Sequence, residues 1–299
     1  MHKVDSEKMF VTFWGTRGSI STPGSGTEKY GGNTSCVSIH HGETELILDA
    51  GTGIRNLGLE LFQQMEKGRT ELNMHLLLSH THWDHIQGLP FFVPAYLKGN
   101  KLAIYGSPKK EVFLESILQR QMDVNYFPVE MNALAADISI KEISAEKLVI
   151  DSITIDWQEQ VFHPGGSVRY RFSAAGKTIV YATDVELDKL FNSKIKSEEN
   201  DVLKNEYCQF IRGADLLIAD GQYTEEEYPS KIGFGHTSIP LIIEIAHKQK
   251  VKQLAIFHHE PQHPDSLLDK LWAKYSPKYA SSQNQMIVFW AREGMTIPV

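Results

Sequence analysis

Short apolar runs recur along the 299-residue chain, most of them bounded by glycine, proline or a charged residue. Runs of roughly four to eight residues rich in Val, Ile, Phe, Leu and Tyr are the signature of strands. They predict strands at 10–14, 36–41, 45–49, 74–79, 102–105, 152–156, 168–173, 178–182, 215–219, 253–257 and 286–290. The second and third read as a hairpin that turns at His41-Gly42-Glu43-Thr44. Longer segments predict helices near 54–66, 108–122, 238–248 and 264–274. Strands, a middle helical insertion, then strands and helices again imply sheets covered by helices, an α/β layered fold. No linker, low-complexity tract or repeat interrupts the chain, so 1–299 reads as one domain, with 1–8 as a flexible tail.

Composition narrows the function classes. Hydrophobic residues are 41% and charged residues 22%, ordinary for a globular protein. The net charge is −7, the opposite of the basic surface that tracks nucleic-acid backbones, so a large nucleic-acid partner is not expected. Cys36 and Cys208 form no Cys-x-x-Cys pair and no disulfide framework. The first eight residues lack a signal-peptide core and no apolar run reaches the ~20 residues of a membrane span. Those features set the expectation of a cytoplasmic protein with no membrane association. Gly51-Thr52-Gly53 is not a dinucleotide loop, because Asn56 stands where the third glycine belongs, and there is no Walker lysine.

The chemistry concentrates at residues 80–85, His80-Thr81-His82-Trp83-Asp84-His85, directly after the strand at 74–79. Three imidazoles and a carboxylate within six residues suit zinc, and also manganese or iron. This segment resembles the His-x-His-x-Asp-His signature of the metallo-β-lactamase superfamily. The resemblance continues through His163-Pro164-Gly165-Gly166-Ser167, Tyr181-Ala182-Thr183-Asp184 and Phe257-His258-His259-Glu260-Pro261, in the family's order. It implies a four-layer αβ/βα sandwich and a binuclear centre of divalent ions, Zn2+ first and Mn2+ or Fe2+ as alternatives. On that pattern His80, His82 and His163 hold one ion, Asp84, His85 and His258 the second, and Asp184 bridges them. His259 competes for the last position. His258 is preferred because it directly follows the strand Leu254-Ala255-Ile256-Phe257.

Gly235-His236-Thr237-Ser238 resembles the Gly-His-Ser/Thr segment of the RNase Z-like branch, where the histidine assists phosphodiester cleavage. Leu217-Ile218-Ala219-Asp220 resembles that branch's second acidic segment, with Ala219-Asp220 in place of His-Glu. Asp84, His236 and Asp220 are thus the candidate catalytic residues, Asp220 as the group that orients His236. The segments 14–19, 30–36 and 48–53 also look like a bacterial group of this branch that includes small phosphodiesterases, among them enzymes of cyclic nucleotides. Asp49 reads as a carboxylate that steadies the metal loop. Arg17 reads equally as a phosphate contact and as a structural loop arginine. The apolar Leu89–Tyr96 segment reads as core or a dimer contact, with base stacking as the other use; a homodimer is expected.

The implied activity is hydrolysis of a small phosphodiester such as a cyclic nucleotide, without an organic cofactor. Two adjacent ions lower the pKa of a shared water from 15.7 to about 7, and His236 would protonate the leaving oxygen. The first alternative is tRNA 3′-end processing of the RNase Z type. That enzyme commonly projects an RNA-binding arm between the third histidine and the bridging aspartate, an interval of 184 − 163 = 21 residues here. The second alternative is a metal-binding regulator without turnover, which the filling of every ligand position argues against.

Overall fold

The computed structural model describes residues 8–107, 112–143, 147–192, 197–280 and 285–299. The chain forms two compact units. One comprises Met1–Pro23, Gly31–Ala145 and Arg292–Pro298, the other Gly24–Tyr30, Glu146–Ala291 and Val299.

The first unit carries strands β1 (Phe10–Gly15), β2 (Cys36–His41), β3 (Thr44–Leu48), β4 (Asn73–Leu77), β5 (Lys101–Gly106), β6 (Asp137–Glu142) and β14 (Thr296–Pro298). Their order in the sheet is β14-β1-β2-β3-β4-β5-β6. Pairing is antiparallel from β14 to β3 and parallel from β3 to β6. Parallel strands need crossovers, and α1 (Ile54–Glu66) and α3 (Leu114–Gln121) lie in them, with the one-turn α2 (Trp83–Ile86) following β4. α1 turns Leu57 and Leu61 into a core with Ile47, Met74, Leu76, Leu102 and Ile104. Each such side chain stabilises the unit by about 1.5–3 kcal/mol through burial.

The second unit carries β7 (Lys147–Ile150), β8 (Ile153–Gln160), β9 (Ser167–Ala174), β10 (Lys177–Ala182), β11 (Leu216–Asp220), β12 (Gln253–Phe257) and β13 (Ile287–Trp290). The order is β13-β12-β11-β10-β9-β8-β7, parallel from β13 to β10 and antiparallel from β10 to β7. α4 (Leu187–Phe191), α5 (Glu198–Ile211), α6 (Ile239–Lys248) and α7 (Asp265–Ala280) complete it. Val180, Leu217 and Leu254 of adjacent strands meet Phe210 of α5, Ile242 and Ile243 of α6 and Leu268 of α7 in its core.

Two mixed sheets with helices meet the α/β expectation, and the expected strands appear within a few residues of their forecast bounds. Of the helix expected at 108–122, the part from Leu114 is present and residues 108–111 lie outside the described residues. The expected tail lies outside them too, apart from Lys8. Strands β6, β7 and β14 and helices α2, α4 and α5 lie beyond the expected elements. Both cysteines are unpaired. Among the described residues no helix is long and apolar enough to cross a membrane.

Candidate metal centre

In the first unit, β3 and β4 are parallel neighbours with Leu48 level with Leu77. Their carboxyl ends therefore release Asp49 and the 78–85 segment side by side, where open α/β sheets place ligand-binding groups. Asp49 is fully buried and has φ of +60°. Its carboxylate accepts from the Ser79 amide at 2.7 Å, the Ser79 hydroxyl at 2.8 Å and His85 Nδ1 at 2.8 Å. Ser79 Oγ, having donated to Asp49, lies 3.0 Å from His80 Nδ1 and can accept from it. Both imidazoles thus use Nδ1–H on the protein, which leaves Nε2 as the metal-binding nitrogen.

His85 Nε2 lies 3.3 Å from Asp84 Oδ2, which also takes the Ser19 amide at 2.7 Å. The His80 ring stands 4.2 Å from that of His85 and 4.5 Å from that of His82, centroid to centroid. His80, Asp84 and His85 are buried, and His82 is exposed. The loop closes this tightly because Gly51 and Gly88 lack side chains. A Cβ at Gly88 would stand 2.0 Å from the Gly51 carbonyl oxygen, and one at Gly51 2.3 Å from that of Asp84.

In the second unit, the register places Ala182, Ala219 and Ile256 level across β10, β11 and β12. Asp184, Asp220 and His258 consequently leave adjacent strand ends at one level. Asp184 is buried, with φ of +57°, and its Oδ2 takes the Thr183 hydroxyl at 2.6 Å. Its Oδ1 lies 3.4 Å from His258 Nε2 and 3.9 Å from His163 Nε2. His163 donates Nδ1–H to the Gly235 carbonyl at 3.0 Å, and His258 donates Nδ1–H to Gln222 Oε1 at 3.1 Å. Gln222 is itself fixed by donating to Glu260 at 2.7 Å.

Again Nδ1 is engaged and Nε2 faces a carboxylate oxygen. Four imidazoles with one tautomer, three of them beside carboxylates at 3.3 to 3.9 Å, fit divalent metal ions by donor chemistry. His258 and not His259 meets Asp184, because His259 Nε2 is bonded to the Ala291 carbonyl at 2.8 Å.

His236 Nδ1 donates to Asp220 Oδ2 at 2.7 Å, and the ring stacks on His258 at 4.8 Å and 22°. Asp220 is buried, and its Oδ1 takes the Gln222 amide at 3.1 Å. His163, Asp184 and His236 form one donor cluster and Asp220, His236 and His258 another, each with donor atoms within 4.8 Å. Thr237 ties this loop to the Asp184 segment by donating to the Val185 carbonyl and accepting from the Leu187 amide at 3.0 Å.

Arg17 is fully buried and donates Nε–H to the Gly31 carbonyl at 2.7 Å, which makes it a structural loop arginine. Leu89, Pro90, Phe92, Pro94 and Ala95 are core, while Phe91 is 56% exposed and meets the Phe127 ring edge-on. Sequence reasoning missed Ser79, Gln222 and Glu186. Ser79 adjoins the histidine motif and Gln222 lies two residues past Asp220, and adjacency was the signal available for both.

The family model described as the beta-lactamase superfamily domain matches residues 44–259. A Ribonuclease Z of Sulfolobus acidocaldarius is 25% identical over 256 residues, 72% of this chain and 78% of that protein. A Ribonuclease Z of Pyrococcus horikoshii is 24% identical over 290 residues, 85% of this chain and 87% of that protein. Among solved structures, the metallo-beta-lactamase fold protein YhfI from Bacillus subtilis superposes with a TM-score of 0.66 at 19% identity, covering 98% of this chain and 100% of that one. A diphosphatase from the PhnP family gives 0.63 at 16%, covering 97% of both chains. The short form of human tRNase Z gives 0.62 at 17%, covering 96% of this chain and 98% of that one.

Proposed function

The chain belongs to the beta-lactamase superfamily and has the metallo-β-lactamase fold, and on that premise we propose that it is a two-metal phosphodiesterase of small phosphodiesters, with cyclic nucleotides as the substrate type. The observation that carries this reading is the Asp220–His236 pair at 2.7 Å, stacked on His258. By the family pattern, His80, His82 and His163 hold one ion, Asp84, His85 and His258 the other, and Asp184 bridges. The imidazole-rich donor set suits zinc, with manganese or iron(II) as alternatives. When bound, the ions supply Lewis acidity at the phosphate and an activated water.

The chain's own residues do the rest. Asp49, Gly235 and Gln222 orient His85, His163 and His258 through Nδ1. Asp220 holds the His236 ring through Nδ1, and the imidazolium form would pass its Nε2 proton to the departing oxygen. The protein acts as a homodimer in the cytoplasm, and Phe91, an exposed aromatic of the 89–96 segment, supports an interface. Light scattering on the purified protein reads the dimer directly.

A second reading, tRNA 3′-end processing, is favoured by the relatives named Ribonuclease Z. Against it, the interval from His163 to Asp184 is filled by the β9–β10 hairpin, turning at Ala175-Gly176, with no further element. Its cations are engaged within the fold, although Lys177 is exposed. Arg169 is buried on Tyr207, Phe210 and Gln158, Arg171 donates to the Phe210 carbonyl, and Lys177 pairs with Asp215.

The test is elemental analysis of the purified protein, then kinetics with zinc and manganese on 3′,5′- and 2′,3′-cyclic nucleotides and a tRNA precursor with a 3′ trailer. About two ions per chain and the higher kcat/KM on a cyclic nucleotide are expected. A clear preference for the precursor would transfer the assignment to tRNA processing. No tightly bound metal after reconstitution would overturn both.

A further inference from the structure

The segment leading to His236 is built around an exposed aromatic ring. Phe234 lies between Gly233 and Gly235, both with φ of +91°, and is 57% exposed. The loop is nevertheless held in place. Glu186, buried two residues beyond Asp184, accepts the Gly233 amide at 2.9 Å and the Tyr228 hydroxyl at 2.7 Å. Gly235 meets His163 so closely that a Cβ there would stand 2.3 Å from Nδ1.

The Lys231 ammonium lies 5.6 Å from the Phe234 ring centroid and 5.5 Å from that of Tyr223, and the Tyr223 ring meets the His236 ring edge-on at 6.0 Å. An unbroken set of contacts therefore runs from Phe234 through Lys231 and Tyr223 to His236. Among the described residues no carboxylate neutralises Lys231; its partners are the two rings. A planar ring held out on a clamped loop beside a cation offers a face on which a planar, anionic ligand can stack.

We infer that Phe234 and Lys231 form the subsite for the alcohol side of the substrate, and that the ligand class is a nucleotide whose planar base stacks on Phe234 while Lys231 offsets its anionic charge. This rests on the phosphodiesterase reading for its orientation, since the alcohol protonated by His236 lies on the side of this loop. Base–aromatic stacking accepts any base because each has a π-face. Phe234 therefore selects for the presence of a base, not its identity.

The experiment is calorimetric titration of adenosine 3′-monophosphate and of its base-free counterpart, 1-deoxyribose 3-phosphate. The titrations use the metal-loaded wild type, Phe234→Ala, Phe234→Trp and Lys231→Ala, beside turnover of a cyclic nucleotide by the wild type. Phe234 is exposed, so its replacement does not threaten folding. Phe234→Ala should weaken the nucleotide roughly five- to hundredfold more than the base-free compound, and Phe234→Trp should restore most of the loss. Lys231→Ala should weaken both compounds. Equal affinity of wild type and Phe234→Ala for the nucleotide, or no binding of it by the wild type, would overturn the subsite. Phe234-dependent binding without turnover would keep the subsite and remove the phosphodiesterase reading.

Discussion

Asp49, Asp184 and His258 hold φ near +60°, a conformation that costs a non-glycine residue roughly 1–2 kcal/mol. Each follows a strand end; Asp184 and His258 belong to donor clusters, and Asp49 fixes the His85 ring. Asp184→Asn keeps a residue that tolerates this conformation and removes the charge. Turnover should fall by about three orders of magnitude while the chain still unfolds in one cooperative transition; near-normal kcat would refute the ligand assignment. His82→Ala, at an exposed position, should do the same. For His236→Ala the expected loss is about 10²–10⁴-fold in kcat with a sugar alkoxide as leaving group. The loss should be small with a nitrophenolate, which departs without a proton. An equal loss on both would make His236 a positioning residue. Away from these clusters, the hydrogen bond from His40 to Glu45 at 3.1 Å raises the His40 pKa against the opposing effect of burial. Glu43 adds to the rise and Arg69 opposes it. The folded pKa therefore exceeds the free value of about 6.5. Its contribution to stability is fully present below that pH and is lost as pH rises through the raised value. Denaturation of wild type and His40→Gln at about pH 5.5 and about pH 8.5 should show the gap closing at the higher pH. At this scale the donor histidines and aspartates were legible, since spacing and strand ends are written in sequence. The groups that fix their tautomers were not, because Gln222 lies 36 residues from His258 and Gly235 lies 72 from His163, in bonds that only the fold creates.

Elements differed in legibility for physical reasons. Strands β4, β10, β11 and β12 carry the buried apolar runs Leu76-Leu77, 179–182, 216–219 and 254–257, because parallel strands bury both faces, and those runs stood out. Strand β6 reads Asp-Ile-Ser-Ile-Lys-Glu, never fully buried, and lies at a sheet edge, so its run is too polar to announce itself. Helix α5 opens with Glu198, Glu199 and Asp201 on a Ser197 cap, a favourable first turn that reads as solvated loop when its few buried contacts, Tyr207, Phe210 and Ile211, are unknown. Tight turns are where an element-scale change should be felt. Gly88→Ala sets a Cβ against the Gly51 carbonyl, between α2 and the start of α1. The expected cost is about 1–3 kcal/mol of overpacking, seen as a lower urea midpoint at unchanged slope. An unaltered midpoint would mean that the loop has more room than its geometry indicates.

At the scale of the whole molecule, metal binding should appear as stability. A ligand that binds the native state at a hundredfold excess over its Kd adds about 2.7 kcal/mol. Chelation should lower Tm and zinc should restore it, whereas an indifferent Tm would deny tight binding. The second consequence of scale lies in the return of the chain to the first unit at Arg292–Pro298. There β14 covers the edge of β1, and Glu293 accepts the Asn33 amide at 2.6 Å and its side chain at 2.8 Å. Removing residues 292–299 should expose the 15–35 stretch to limited proteolysis, with the new cuts located by mass spectrometry; an equally resistant stretch would show that the clamp is dispensable. The same return sets a schedule for synthesis. Every expected ligand, through His258, leaves the ribosome before the strand that closes the first sheet. A nascent chain therefore carries β1 with a bare edge until Thr296–Pro298 have been made. A message cut short before residue 292 would yield a product with all of its chemistry encoded and an open template for aggregation.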